Sequence, residues 1–581
     1  MFIFIVSRDW RNIYLNNLES FKAKLLRDGF NLDKDRFFIV AANKRYLGYE
    51  KINGQFSVFY LICPQILMPV FMAIASVIFF IRAIGKKPDI CYATTPFFVL
   101  SFWPCKYFLG LPLFCNYVSS VSDIIKQKGG TKRILTAKAV GICEFLGAKM
   151  ADVLMGHAAS AYYCSGFDAA LVVTIDGQGD GLSHTAWAVK SGEWQKIAQG
   201  GSEESLGAFY AAITEGLGFK PNRHEGKIVG LAAFSDGKLR NKLEPLVVIS
   251  QDKMRFKRQG RKEMIAKVQQ WKGQGYSRED IADYGQNLLE EMAIPHIQAL
   301  VEKTGLKKLA LVGGVFANVK LNQRVVEQCA VEEIFVQPAM GDEGIVLGSA
   351  LHYYWQGQIK RGKKYQPAVL KNVYFGNGCA SDELEALIKE VKDDYKVERV
   401  ENLEQRAARL VADGQLVGWF DGRMEFGPRA LGSRSILGDP RNKKINDILN
   451  ERLRRSEFMP FAPSVLAEYA NEIFEKTEAA FHAAEFMTIT FNVKPAWQEK
   501  ISAIVHIDGT CRPQLVKKEI NPRYWQVIDE FRRITGVPLV LNTSFNIHEE
   551  PIVATLYDGL RSLKQGAVDY VAIGRYLITN N

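Results

Sequence analysis

Three apolar runs in the middle of the chain each end in a glycine-rich turn, and this repeated pattern restricts the possible folds more than any other feature. The turns read DGQGDG at residues 176–181, GGVFAN at 313–318 and GDEG at 341–344. A helical pattern follows the second and third turns. Alternation of strands, glycine turns and helices is typical of an α/β protein.

Side chains at these turns are candidate ligands. A carboxylate at a strand end, beside glycines with accessible N–H groups, can hold a nucleotide or a phosphate-bound metal. A plain hairpin would also place Asp next to Gly at the first turn. No GxxxxGK[ST] sequence occurs, so the turns fit an actin-like ATPase fold better than a P-loop fold. Lys227, in an HEGK motif, either contacts a phosphate or is a solvated loop lysine. The candidate ligands are Asp176, Lys227, Gly313, Gly314, Asn318 and Asp342.

The last third of the chain has a stretch in which arginines alternate with glycines. Residues 421–441 read DGRMEFGPRALGSRSILGDPR. A guanidinium group can bind phosphate or carboxylate through two parallel hydrogen bonds, and it stays charged. The later run VPLVLNTSFN ends in amides and hydroxyls, which suit ligand oxygens but also form strand-terminating turns. The predicted anion-binding residues are Arg423, Arg429, Arg434, Arg455, Arg512, Asn542, Ser544 and Asn546.

The length and the charge distribution both indicate several modules. A chain of 581 residues exceeds one ordinary domain. Residues 1–150 contain 20 basic and 9 acidic residues, whereas the remainder contains 54 of each, so the whole net charge of +11 lies in the first quarter. This asymmetry predicts a separate basic module that binds a membrane surface, a phosphorylated ligand or nothing, and not nucleic acid. The predicted domains are residues 1–151, 152–360 and 366–581.

The first module leaves the relation to membranes open. Val58–Ile81 is a run of 24 residues without a charge, long enough to span a bilayer, but Pro64 and Pro69 oppose a continuous helix. A buried helix, contact of residues 58–114 with a membrane surface, and a true span are all compatible with the run. The N-terminal run lacks the pattern of a signal peptide, and none of the nine cysteines forms a CxxC pair. We therefore expect a cytoplasmic protein.

An ordered series of motifs carries a family resemblance. GHAASAYY, DGQGDG, SLGAFY, EGKIVGLA, GGVFANVKLN and PAMGDEG, followed by the arginine-rich stretch and LNTSFN, resemble the O-carbamoyltransferases of nodulation-factor and antibiotic biosynthesis over residues 152–581. The resemblance implies an actin-like domain followed by a YrdC-like domain. Within residues 1–151, KPDICYATTPFF and LPLFCNYVSSVSD loosely resemble the Rossmann-like N-terminal half of GT-B glycosyltransferases.

The resemblance also implies an activity. Such an enzyme makes carbamoyl-adenylate from carbamoyl phosphate and ATP, and it transfers the carbamoyl group to a hydroxyl of a sugar or natural product. Asp176, Arg429, Arg455 and Arg512 would be catalytic, and His157 and Asp342 would hold a divalent metal. The family's first two metal-binding histidines fall on Val153 and Leu154. With two ligands left we expect weak binding of iron or zinc. Any metal dependence should follow added Mg²⁺ and ATP, because nucleotide phosphates can supply the missing ligands.

Two other functions remain open at this stage. One is a protein that makes carbamoyl-adenylate but does not transfer it, because the N-terminal part of the actin-like domain is replaced. The other is a membrane-associated scaffold that carries a degenerate enzyme. The acceptor and the oligomeric state cannot be read from the sequence.

Overall fold

The computed structural model describes residues 153–239, 242–455, 459–547 and 550–581, together with seven strands between residues 2 and 150. The chain divides into two compact units. One comprises residues 1–155 with 179–181, and the other comprises residues 156–178 with 182–581. The α/β class expected from the sequence is confirmed, with several separate sheets. The domain boundaries at 151/152 and 360/366 stay predictions.

The described strands of the first unit form two sheets. One has the strand order β1-β2-β4-β3, in which β1, β2 and β4 are parallel, and the other is the parallel sheet β5-β6-β7. Parallel pairing agrees with the Rossmann-like module expected here. The strands are β1 (Phe2–Ser7), β2 (Arg36–Asn43), β3 (Gly48–Lys51), β4 (Phe56–Ile62), β5 (Cys91–Ala93), β6 (Leu113–Cys115) and β7 (Lys149–Met150).

Strand β4 changes one expectation about the uncharged run. The first five residues of Val58–Ile81 belong to β4 and not to a helix, as the aromatic and β-branched side chains at its start favour. Residues 63–81 lie outside the described residues. Within the part of the chain that the structure describes, no helix combines the length and apolarity that crossing a membrane would require.

The first sheet of the second unit positions the glycine turns. Its strand order is β10-β9-β8-β13-β14, and β13 pairs in parallel with both β8 and β14. Parallel neighbours end at the same edge of a sheet, so the turns after β8, β13 and β14 are brought together. The elements are α1 (Val153–Ser165), β8 (Ala169–Gly179), β9 (Leu182–Lys190), β10 (Glu193–Gly201), α2 (Leu206–Gly216), α3 (Glu225–Ala232), β11 (Val247–Ile249), β12 (Phe256–Arg258), α4 (Arg261–Gly273), α5 (Arg278–Thr304), β13 (Lys308–Val312), α6 (Val319–Gln328), β14 (Glu333–Val336) and α7 (Ile345–Lys360).

The C-terminal part of the second unit is built on an eight-stranded mixed sheet. Its strand order is β15-β24-β23-β16-β17-β22-β18-β21, and the arginine-rich stretch forms the connection between β16 and β17, the whole of β17 and the three residues after it. The elements are α8 (Ser381–Val391), β15 (Tyr395–Arg399), α9 (Leu403–Ala412), β16 (Val417–Phe420), β17 (Arg434–Gly438), α10 (Ile445–Arg452), β18 (Ala462–Leu466), α11 (Ala470–Ile473), α12 (Phe481–Ala484), β19 (Phe491–Asn492), α13 (Pro495–Gln498), β20 (Thr510–Cys511), β21 (Gln514–Val516), α14 (Pro522–Thr535), β22 (Leu539–Ser544), α15 (Leu556–Lys564), β23 (Tyr570–Ile573) and β24 (Tyr576–Asn580).

Helix α6 connects the two sheets of the second unit. Asn318 caps its N-terminus by accepting a hydrogen bond from the Leu321 N–H at 3.1 Å, as short amides do at helix starts. Asn322 donates to the Thr488 carbonyl at 2.7 Å, and Lys320 forms an ion pair with Asp508 at 2.8 Å. One helix that begins at a glycine turn therefore also fixes the loops of the C-terminal sheet.

Candidate active site

His157, Asp176 and Asp342 form a cluster at the carboxyl edge of the first sheet. His157 lies on α1, Asp176 near the end of β8, and Asp342 in the turn between β14 and α7. His157 Nε2 is 3.0 Å from Asp176 Oδ2 and 3.7 Å from Asp342 Oδ1. One possible ligand atom from each residue lies within 4.8 Å of the other two, and this is the one such group in the described ranges. The family motifs predict two metal ligands here, His157 and Asp342, and the structure adds the Asp176 carboxylate as a candidate third.

The electrostatics of the cluster favour a shared cation. Burial lowers the pKa of His157, but the Asp176 and Asp342 carboxylates outweigh it and raise the pKa to about 9. Burial alone would raise the pKa of Asp176, but the His157 ring and backbone N–H groups hold this pKa below its usual value. Neither ring nitrogen of His157 has a well-oriented hydrogen-bond partner among the described residues. A fully buried imidazole between two carboxylates without good hydrogen-bond geometry suits a metal ligand.

The glycines after β13 allow the backbone to approach Asp176. Asp176 Oδ1 accepts hydrogen bonds from the Gly177 N–H at 2.7 Å and the Gly314 N–H at 3.2 Å. Gly313 has a φ of +103°, and a Cβ there would lie 2.4 Å from the Ile175 carbonyl oxygen. A Cβ on Gly314 would lie 2.9 Å from Asp176 Oδ1. Gly313 therefore requires glycine, because its φ is positive and a side chain would collide with the backbone of β8, whereas a side chain at Gly314 would displace the Asp176 carboxylate group itself.

Two other residues predicted near the nucleotide are buried. The Asn318 side chain donates to Gln286 Oε1 at 2.8 Å and caps α6, so its hydrogen bonds are made within the protein. Lys227 lies in the first turn of α3 and is also buried. Their predicted contacts with a nucleotide stay predictions.

The arginines of residues 421–441 divide into different environments. Arg434 is fully buried, and its guanidinium group donates to the carbonyls of Asp421 at 3.0 Å and Asn377 at 3.0 Å. It also lies over the Phe420 ring at 3.6 Å. Arg423 is exposed, but it donates to the Gly376 carbonyl at 2.9 Å. These contacts give Arg434 a structural role that sequence alone did not reveal, and its predicted contact with a phosphate is not favoured by the burial.

Arg455 meets the end of β22. Its guanidinium group donates to Thr543 Oγ1 at 3.0 Å, to Ser544 Oγ at 3.3 Å and to the Asn546 carbonyl at 3.2 Å. Three of the predicted anion-binding residues, Arg455, Ser544 and Asn546, are thus brought together. Thr543, from the same LNTSFN motif, is a further member of this group.

Asn542 differs from its neighbours on β22 because its side chain points into the sheet core. It is 1% exposed and donates to the Ala430 carbonyl at 3.0 Å and to Ser464 Oγ at 2.9 Å. Gln514 similarly donates to the Leu431 carbonyl at 2.7 Å. Asn542 therefore holds the arginine-bearing turn through its hydrogen bond to the Ala430 carbonyl. Its direct contact with a ligand stays a prediction.

The turn that carries Arg429 contacts the segment that carries Asp342. Gly427 has a φ of +116°, and a Cβ there would lie 3.1 Å from the Pro338 carbonyl oxygen. Pro338 precedes Asp342 by four residues. Arg512, the remaining predicted catalytic arginine, follows β20 and is partly buried. The loop before it is joined to α6 through the ion pair between Asp508 and Lys320.

Glu425 is a residue of this region that the sequence analysis missed. Its Oε1 accepts hydrogen bonds from the N–H groups of Leu431 at 2.7 Å and Ser433 at 2.8 Å. Burial raises its pKa, although these N–H groups oppose the shift. No sequence signal distinguishes Glu425 from Asp421 and Asp439, the other acidic residues of this glycine-rich stretch.

Comparisons with known proteins agree with the motifs. The carbamoyltransferase N-terminus family model matches residues 117–351, and the carbamoyltransferase C-terminus model matches residues 408–580. An uncharacterized protein of Methanocaldococcus jannaschii is 35% identical over 73% of this chain and 72% of its own length. Nodulation protein NolO of Bradyrhizobium diazoefficiens is 34% identical over 73% of this chain and 77% of its own. Among solved structures, (R)-2-hydroxyglutaryl-CoA dehydratase component A of Acidaminococcus fermentans aligns with 42% of this chain and 76% of its own, at 17% identity and a TM-score of 0.26.

Proposed function

The chain belongs to the carbamoyltransferase family, and on this basis we propose that it is an ATP-dependent O-carbamoyltransferase. Carbamoyl phosphate, ATP and one water would give carbamoyl-adenylate, pyrophosphate and phosphate. A hydroxyl of a sugar or natural product would then attack the carbamoyl carbon and release AMP. The acceptor is identified only by this hydroxyl.

The observation that carries the proposal is the contact between Gly427 and Pro338. It joins the turn of Arg429 to the segment that leads to Asp342. Carbamoyl-adenylate is a reactive mixed anhydride that water would hydrolyse, so donor formation and transfer benefit from neighbouring, sheltered sites. An arginine-bearing turn that contacts the segment leading to a carboxylate cluster suits a reaction in two successive steps.

The arginines would serve the first step. Phosphate charge increases at the leaving pyrophosphate as the anhydride forms, and fixed guanidinium groups stabilise it without reorganisation. Arg455 is held by Thr543 and Ser544 at the end of β22, so its orientation is set before a ligand binds. Arg429 and Arg512 complete the proposed set.

The cluster of His157, Asp176 and Asp342 would serve the second step. Its donor set fits a divalent metal, which when bound would polarise a carbonyl oxygen. Asp176 is oriented by the Gly177 and Gly314 N–H groups, and His157 is buried beneath it. Three candidate ligands in place of two favour a transferase over a protein that only makes carbamoyl-adenylate.

The experiment is to incubate the protein with ATP, carbamoyl phosphate and Mg²⁺ and to follow pyrophosphate and carbamoyl-adenylate by mass spectrometry. We expect both products from the wild type. The Arg429→Ala variant should lose pyrophosphate release by at least about a hundredfold, the usual scale for removing one electrostatic contact to a developing charge. Arg533→Ala is the matched control, because that arginine is 60% exposed on α14. Wild-type rates in Arg429→Ala, or no pyrophosphate from the wild type, would contradict the proposal.

A further inference from the structure

The turn between Ala430 and Arg434 has its backbone groups directed inward. The N–H groups of Leu431, Ser433 and Arg434 all donate to one oxygen, Glu425 Oε1, at 2.7, 2.8 and 3.3 Å. The Gly432 N–H donates instead to Ser435 Oγ at 3.0 Å. Successive backbone N–H groups that converge on one point form an anion-binding nest. In this protein the anion in the nest is the protein's own carboxylate.

Glu425 is enclosed where it binds. The residue is 6% exposed, and its second oxygen, Oε2, has no hydrogen-bond partner in the described part of the chain. No ion pair of Glu425 within 4 Å is found among the described residues. A buried carboxylate is costly unless its surroundings stabilise the charge. Here the three N–H groups of the turn and the positive charge of Arg434 offset part of that cost, so the turn and the carboxylate depend on each other.

The residues that precede this turn are also held in place. Gly427 packs against the Pro338 carbonyl, and Arg429 lies between that contact and the Leu431 N–H that binds Glu425. The Tyr374 hydroxyl donates a hydrogen bond to the Leu431 carbonyl at 2.8 Å. Arg429 therefore sits on a short segment whose two ends are anchored, and the Glu425 carboxylate is the charged anchor.

We propose that Glu425 is a positioning residue, an internal anion that fills the backbone nest of residues 431–434 and thereby sets the orientation of Arg429. A substrate phosphate is then excluded from these N–H groups and must bind through arginine side chains. The inference rests on the proposed function for its kinetic readout, but the filling of the nest can be measured without turnover.

The test compares Glu425→Ala with Glu425→Gln in the full chain. We expect Glu425→Ala to raise the KM for carbamoyl phosphate by about tenfold or more, as the loss of hydrogen bonds to a charged group implies. Glu425→Gln keeps an acceptor oxygen without the charge, so its KM should lie between those of the alanine variant and the wild type. If the alanine variant does not fold, the glutamine variant alone tests the role of Glu425. A KM of Glu425→Gln equal to that of the wild type would overturn the inference.

Chemical rescue separates positioning from general stability. Sodium formate supplies a small carboxylate for the vacated nest, so it should lower the KM of Glu425→Ala and raise its melting temperature, while the wild type should not respond. Sodium chloride at equal ionic strength is the control for salt. Asp529→Ala is the matched variant, because Asp529 is also a buried carboxylate but pairs with Arg532 and Arg533 on its own helix and not with the turn, and formate should not affect it.

The outcomes also separate this inference from the proposed function. If the wild type releases no pyrophosphate, the proposed function fails, and the effect of formate on melting still tests the nest. If formate neither rescues nor stabilises Glu425→Ala, or if that variant keeps the wild-type KM, Glu425 is not the anchor of the turn.

Discussion

Replacing Gly427 with alanine tests the contact between the arginine turn and the segment that leads to Asp342. The φ of +116° lies outside the conformations that alanine adopts easily, and such strain costs about 1–3 kcal/mol. The new Cβ would lie 3.1 Å from the Pro338 oxygen, so one of the two segments must shift. Crowding of this kind adds about 1–3 kcal/mol. We expect the free energy of unfolding to fall by about 2–6 kcal/mol in total.

Gly422→Ala provides the comparison. Gly422 also has a positive φ, of +55°, but no heavy atom lies within 4 Å of a Cβ built there. Its expected cost is only the left-handed backbone penalty, about 1–2 kcal/mol. Urea unfolding measures the stability difference, and pyrophosphate release measures activity. If the two variants lose equal stability and equal activity, the contact with Pro338 does not support the site.

Three further predictions concern protons, metals and membranes. Burial lowers the pKa of His296 to about 4. Between pH 6.5 and 4 the unfolded chain therefore binds a proton at this histidine that the native chain does not bind. The free energy of unfolding should fall by about 3 kcal/mol as the pH is lowered over this range. Urea titrations at several pH values measure this loss. An equally steep dependence of the free energy of unfolding on pH in His296→Gln would contradict the prediction. Asp176→Asn should weaken binding of Mn²⁺, followed by calorimetry, at least about tenfold, the loss that even outer-sphere changes cause, and equal affinity in the variant would remove Asp176 from the ligand set. If the basic residues 1–150 contact a membrane surface, the chain should sediment with acidic liposomes at low salt and be released at high salt, and salt-independent sedimentation would argue against an electrostatic contact.

The parallel strands explain why part of the site was predictable. Apolar runs that end at Asp176 and Gly313 indicate strands with a common edge, and the structure places those ends side by side. His157 could not be found in this way, because it lies on a buried helix whose sequence has no amphipathic pattern, and only the family motif identified it. Asp176 was predicted as a catalytic group, but its distance from His157 depends on how α1 packs against β8.

The residue composition of the arginine stretch does not predict which of its arginines are buried. Arg429 and Arg434 stand in similar glycine-rich surroundings in the sequence, yet Arg434 is fully buried and binds backbone carbonyls. Its position on strand β17 decides this, because all five residues of this central strand are buried. Glu425 was missed for a related reason. Its partners are backbone N–H groups six to nine residues later, and side-chain patterns do not record them.

Helix α6 has a consequence for how the second unit folds. It starts at the Gly313–Gly314 turn of one sheet and is held by Thr488 and Asp508 from the other. One continuous hydrophobic core also contains residues of both sheets, from Leu171 to Ile578. Residues 156–360 and 366–581 are therefore expected to melt in a single cooperative transition. A chimera that exchanges either part with a relative would have to carry over the complementary docking residues of α6 to refold.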